Sequence, residues 1–136
     1  MTESFAESRK PSRVLLVDND PDVSELVNAF LSQTGHEVRA VSSGEDALNV
    51  IQEEGLDTIA SIVLDLRMPG MGGLDFLRAL DGIAKEKPPV VVVSGFISEE
   101  DREVLEVREE VHALFNKPFD LLELGQALQS LLTETR

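Results

Sequence analysis

The feature that most constrains the fold is a regular alternation along the chain. Five times, a short extended run is followed by a longer stretch with apolar residues at helical spacing. The runs read as strands are Val14 to Val17, Glu37 to Val41, Ile59 to Leu64, Val90 to Val93 and Ala113 to Asn116. The helical stretches are Pro21 to Thr34, Gly44 to Glu54, Gly73 to Ile83, Ser98 to Glu110 and Asp120 to Leu132. Strand–helix alternation with right-handed crossovers gives a doubly wound α/β domain, a parallel sheet with helices on both faces. The first, third and fourth strands are nearly continuous apolar runs, as expected when both faces of a sheet are covered. Punctuation agrees. Asp20 fits an N-cap, Pro21 the first helical position, and Gly35 the position just past the end of the first helix. Gly55 stops the second helix, and Asp120 with Glu123 has capping-box spacing.

One domain accounts for the chain. Its 136 residues are 42% apolar, enough for a core. The reading is a domain over 13–133, with a loose polar tail at 1–12 and a short end at 134–136. With 12 basic and 26 acidic residues the net charge is −14, which repels nucleic acid and anionic membrane surfaces and favours cations and basic protein surfaces. The acids between Ser98 and Glu110 read as a solvated face, or one for a basic partner. The absence of cysteine excludes disulfides, thiolate metal sites and cysteine nucleophiles. No apolar run approaches a membrane span and no signal-peptide core is present, so the expected location is the cytoplasm.

In an open α/β sheet, ligands bind outside the carboxyl ends of the strands. Strand one ends in Asp18, Asn19 and Asp20, strand three in Asp65, strand four in Ser94 and strand five in Lys117. Parallel strands bring these ends to one edge. Converging carboxylates repel, and a hard divalent cation resolves the conflict, because Mg²⁺ takes one or two carboxylates with carbonyl, water and phosphoryl oxygens. A hydroxyl and an ammonium nearby suit the remaining oxygens of a phosphoryl group. The plainer readings differ by residue. Asp20 reads mainly as a helix cap. Ser94 and Lys117 carry little weight singly and gain it only from the constellation. No G-x-G-x-x-G or Walker pattern follows strand one.

These residues resemble the response-regulator receiver domains of two-component signalling. The likeness lies in VLLVDNDPDV at 14–23, SIVLDLRMPGMGGLDFL at 61–77, VVVVSG at 90–95 and NKPFD at 116–120. It implies a flavodoxin-like (βα)5 fold with strand order 2-1-3-4-5. It also implies that Asp65 is the phosphoacceptor and that Ser94 and Lys117 hold the phosphoryl group. Mg²⁺ (or Mn²⁺) would be bound by Asp18, Asn19, Asp65 and the Arg67 backbone carbonyl, with Asp20 as a further candidate. The Lys117–Pro118 bond is expected to be cis by the same likeness. The implied partners are a histidine kinase or histidine phosphotransfer protein, and a downstream protein or fused output domain. A phosphorylation-dependent homodimer is a further implied option.

Two positions depart from the family pattern. Asn19 stands where the family usually has a second acid. Leu114, three residues before Lys117, stands where many members carry Tyr or Phe, so readout is expected to differ and to involve Phe96 or Phe115. Three other functions compete. One is a receiver-like interaction module that is never phosphorylated, favoured by Asn19 and Leu114. Another is a phosphatase of the haloacid-dehalogenase type using Asp18 in D-x-D. That type leaves the Asp65 segment unexplained and wants a different residue at Asp22. A redox flavodoxin-like role is the third, and the chain has neither Tyr nor Trp to stack on a flavin.

Overall fold

The computed structural model describes residues 13–134; the tail assigned to 1–12 and the last two residues lie outside the described residues. Five strands form one parallel sheet in the order β2-β1-β3-β4-β5. They are β1 Arg13–Val17, β2 Glu37–Val41, β3 Ile59–Leu64, β4 Val90–Ser94 and β5 Val111–Asn116. The helices are α1 Pro21–Gln33, α2 Gly44–Glu54, α3 Gly73–Asp81, α4 Glu99–Glu106 and α5 Leu121–Glu134. A single 3₁₀ turn, Leu56–Thr58, leads into β3. This is the expected doubly wound α/β architecture.

Side chains alternate across the sheet and build two cores. On one face, Leu15, Val17, Ile62, Leu64, Val90 and Val92 pack against Ala47 and Ile51 of α2, Phe76, Leu77 and Leu80 of α3 and Leu105 of α4. On the other, Val14, Leu16, Val63, Val91 and Val93 pack against Val27 and Leu31 of α1 and Leu124, Leu128 and Leu131 of α5. All six residues of β3 are buried, which is why that run is apolar apart from Ser61. Ser61 satisfies its hydroxyl on the Pro89 carbonyl at 3.2 Å. β2 lies at the sheet edge and is mostly exposed. Its Glu37 and Arg39, with Arg13 and Glu54, form an ion-paired rim, and charged edges of this kind oppose strand addition.

Local signals mark the helix starts. Asp20 accepts the Asp22 N–H at 3.0 Å and caps α1. Ser43 caps α2 through the Asp46 N–H at 3.1 Å. The Asp120 carboxylate accepts the Leu122 N–H at 2.8 Å ahead of α5. The capping box that forms with both hydrogen bonds is Ser98 with Asp101 at α4.

Several helix ends and faces differ from expectation. α3 stops at Asp81 because the chain tightens at Gly82, and Ile83 is left 52% exposed rather than on the core face. α4 is eight residues long and ends at Glu106, not Glu110. The chain must turn there to feed β5, which begins at Val111 beside Val90, two residues earlier than expected. The turn is pinned by Arg108, whose guanidinium pairs with Asp81 and Glu110. That bond to Arg108, with a second from Lys87, holds the Asp81 carboxyl well below the usual carboxylate range. Val104 and Val107 accordingly face solvent, as does Leu26 of α1.

Gly125, an unfavourable residue within a helix, has a packing reason. A Cβ there would sit 2.4 Å from Phe30 Cε2, so the missing side chain lets the α1 ring lie against α5.

Candidate functional site

Sheet register builds the site. Val17 pairs with Leu64, so the next residues, Asp18 and Asp65, emerge side by side. The Asp65 N–H extends the ladder by donating to the Val17 carbonyl at 2.9 Å, and the Asp18 N–H donates to the Val41 carbonyl at 3.0 Å. Ser94 pairs with Asn116, and the Lys117 N–H donates to the Ser94 carbonyl at 2.8 Å. The ends of four strands thus present two carboxylates, a hydroxyl and an ammonium on one edge.

The side chains converge. Lys117 Nζ lies 3.0 Å from Asp18 Oδ2 and 3.3 Å from Asp65 Oδ2. These contacts span 99 and 52 residues of sequence. Asp18 and Asp65 are each only 4% exposed. Burial is the main influence on Asp18 and pushes its carboxyl up; the Asp20 N–H and Lys117 oppose that, and the Asp65 charge adds to it. For Lys117, burial pulls the ammonium down. The hydrogen bond to Asp18 and the charges of both carboxylates outweigh it, so its pKa is raised. Two buried carboxylates against one ammonium leave the cluster with a net negative charge, which suits a cation.

Among the described residues, no group of three or more His, Asp or Glu gathers to hold a metal. The strand ends bring together two carboxylates, and Mg²⁺ is commonly held by one or two carboxylates with other oxygens completing its shell. Asn19 is exposed, and it borders a groove of about 400 Å³ shared with Asp18, Ser24 and Asp46. Asp20 turns its carboxylate to the helix cap.

Ser94 is fully buried, and its Oγ has no hydrogen-bond partner among the described residues. Leaving a buried hydroxyl unpaired costs about 1–3 kcal/mol, so its position calls for a functional explanation. The Lys117–Pro118 peptide is cis, as expected. Leu114 is half-buried against the α2–α4 core, and Phe96 is 65% exposed in the β4–α4 loop.

Two residues beside the site escape sequence reasoning. Asp101 is buried and pairs with Arg67 at 2.7 Å. The Glu45 carboxylate accepts the Met71 N–H at 3.2 Å and ties the β3–α3 loop to α2. The Ser98-x-x-Asp101 spacing signals a cap, but nothing local to either residue signals the partner across the fold.

Fold and site together define a doubly wound α/β domain with charged groups gathered at the carboxyl edge of its sheet, and the comparisons with known proteins place it in a signalling family. The family model for the response regulator receiver domain matches residues 14–129, and the chain belongs to that family. It is 32% identical over 130 residues to the transcriptional regulatory protein GlrR of Escherichia coli K12, covering 94% of this chain and 28% of GlrR. It is 31% identical over 121 residues to the transcriptional regulatory protein CpxR of the same strain, covering 89% of this chain and 49% of CpxR. The chain therefore spans half or less of the length of these relatives. Among solved structures, the signal receiver domain of a putative Luxo repressor protein from Vibrio parahaemolyticus superposes with a TM-score of 0.81 at 22% identity, covering 93% of this chain and 92% of that one, a likeness of fold. A sensor protein from Polaromonas sp. JS666 superposes at 0.77 with 26% identity, covering 91% of this chain and 98% of that one. Receiver domains of this family typically bind Mg²⁺ and serve signalling rather than metabolic turnover. No described helix is long and apolar enough to cross a membrane.

Proposed function

We propose that the chain is a phosphorylation-controlled switch whose receiver domain spans 13–133 and whose acceptor is Asp65. The observation that carries this reading is the Lys117 ammonium bridging two buried carboxylates at the edge where the Ser94 hydroxyl has no partner among the described residues. In the proposed reaction, an Asp65 carboxylate oxygen attacks the phosphorus of a phosphohistidine on a histidine kinase or phosphotransfer protein. The new P–O bond forms as the P–N bond breaks. The electron pair of that bond returns to the imidazole nitrogen, and an acyl phosphate remains on Asp65. Lys117 pairs with one phosphoryl oxygen, and the Ser94 hydroxyl donates to another. Asp18, Asn19, Asp65 and the Arg67 carbonyl would hold Mg²⁺ (or Mn²⁺), which when bound supplies charge neutralisation for the transferred group. Asp20 stays with its cap. The product changes protein–protein contacts with a downstream protein or fused output domain, in the cytoplasm.

Incubation with Mg²⁺ and acetyl phosphate, followed by intact mass measurement, tests this directly. One phosphoryl group is expected on the wild type and none on Asp65→Asn. No gain from acetyl phosphate or from a phosphohistidine donor would overturn the reading in favour of an interaction module that works without phosphorylation.

Asn19 bears on metal affinity. A further unit charge about 4 Å from the cation is worth at most about 4 kcal/mol per charge at an effective dielectric of 20. Asn19→Asp is expected to tighten Mg²⁺ binding by about tenfold, a gain of about 1.4 kcal/mol that lies within that limit, read by calorimetric titration. Equal affinities in the two proteins would show that Asn19 does not face the metal.

A further inference from the structure

Arg67 is tied to the acceptor at one end and to α4 at the other. Its backbone N–H donates to Asp65 Oδ1 at 3.1 Å. Its guanidinium reaches the other way, to Asp101 Oδ2 at 2.7 Å, across 34 residues of sequence. That same oxygen accepts the Ser98 N–H at 3.2 Å, while the Asp101 N–H donates to Ser98 Oγ at 3.0 Å. One carboxylate oxygen thus joins the acceptor loop to the first turn of α4. The Asp101 side chain is 12% exposed and that of Arg67 56%, so the carboxylate is set into the fold while the guanidinium that pairs with it lies open to solvent.

We propose that Asp101 is a positioning residue of the phosphoryl site: it holds the Arg67 guanidinium on α4 while Asp65 is bare and yields it when Asp65 carries a phosphoryl group. The inference rests on the reading of Asp65 as acceptor. A phosphoryl group on Asp65 places a second, more highly charged anion beside the Arg67 backbone. Guanidinium binds phosphoryl oxygens through paired, charge-assisted hydrogen bonds, so the new anion competes with Asp101. Once Arg67 leaves, Asp101 is a buried carboxylate with only its capping bonds, and the first turn of α4 loosens. Phe96, exposed between Ser94 and Ser98, moves with that turn. This route from site to surface needs no aromatic ring at Leu114.

Hydrogen exchange over 96–106 tests the proposal, with intact mass read on the same samples. The proteins are wild type, Arg67→Gln, Asp101→Asn and the double variant, each before and after acetyl phosphate with Mg²⁺. Asparagine at 101 keeps an oxygen for the Ser98 N–H, and Arg67 is a surface side chain, so the variants are expected to fold. Without phosphate, each single variant is expected to exchange about fivefold faster than wild type in the first turn of α4, and the double variant no faster than either. Wild type is expected to gain the same rise when it takes up a phosphoryl group, and Arg67→Gln to gain none. A phosphorylated wild type with unchanged exchange in α4 overturns this inference alone, as does additivity in the double variant. A wild type that takes up no phosphoryl group overturns the reading of Asp65 and this inference with it.

Discussion

Lys117→Met is expected to lose phosphoryl uptake altogether and, in metal-free buffer, to melt about 8 °C below wild type. The ammonium is the cation that faces both Asp18 and Asp65, and each carboxylate is 4% exposed. Removing one partner of a buried ion pair commonly costs about 3–5 kcal/mol. The loss here is smaller, about 2 kcal/mol, because the Lys117 side chain is 18% exposed and a carboxylate can take up a proton to relieve the repulsion. In a domain of this size that corresponds to several degrees. A divalent cation held by Asp18 and Asp65 would supply the missing positive charge. Mg²⁺ is therefore expected to raise the melting temperature of the variant more than that of wild type, as binding to the folded state alone requires. Thermal melts with and without Mg²⁺, beside the mass assay, read both effects. A variant that melts with wild type, or that takes up a phosphoryl group at the wild-type rate, would remove Lys117 from the site.

Gly73→Ala is expected to cost about 2 kcal/mol and to slow phosphoryl uptake at least about tenfold. A Cβ at Gly73 would lie 2.5 Å from the Asp65 carbonyl oxygen and 3.0 Å from Leu66 Cα. Both are backbone atoms of the loop that begins at Asp65, so relief requires shifting Asp65 or the start of α3. Overpacking costs about 1–3 kcal/mol, and a 2.5 Å approach to backbone stands at the upper end, so about 2 kcal/mol remains after the roughly 1 kcal/mol that alanine gains over glycine in a helix. Gly125→Ala is the informative contrast. Its Cβ meets only the outer edge of the half-buried Phe30 ring, which can swing aside. Its stability is expected to stay within about 1 kcal/mol of wild type, with normal phosphoryl uptake. Urea melts of the two variants distinguish these outcomes; equal losses would mean that the α3 start carries no special constraint.

Much of the fold is legible in the sequence because its signals are local. β-branched runs, helical spacing and capping residues act within a turn or two, and they place β2, α2 and β3 at the bounds observed. They fail where tertiary geometry overrules them. The acidic run continues a helical pattern through Glu110, yet pairing of Val90 with Val111 and the Arg108–Asp81 bond require the chain to turn after Glu106. Helical spacing puts Leu26 and Val107 on apolar faces, yet both face solvent in the assembled fold, Val107 because the helix has already ended at Glu106.

The candidate site divides in the same way. Which residue types stand at the strand ends is written in the sequence, because a parallel sheet sends successive strand tips to one edge. That reasoning alone carries Asp18, Asp65, Ser94 and Lys117 to a common place, and the likeness to receiver domains adds a role for each. Sequence pattern does not say that one ammonium bridges both carboxylates, that the Ser94 hydroxyl has no partner among the described residues, or that Arg67 reaches from Asp65 to Asp101. Those facts depend on register and side-chain packing between segments 34 to 99 residues apart. Local pattern determines which elements form; only the assembled sheet decides which of their ends meet, because those contacts are set by distances through space that no stretch of sequence contains.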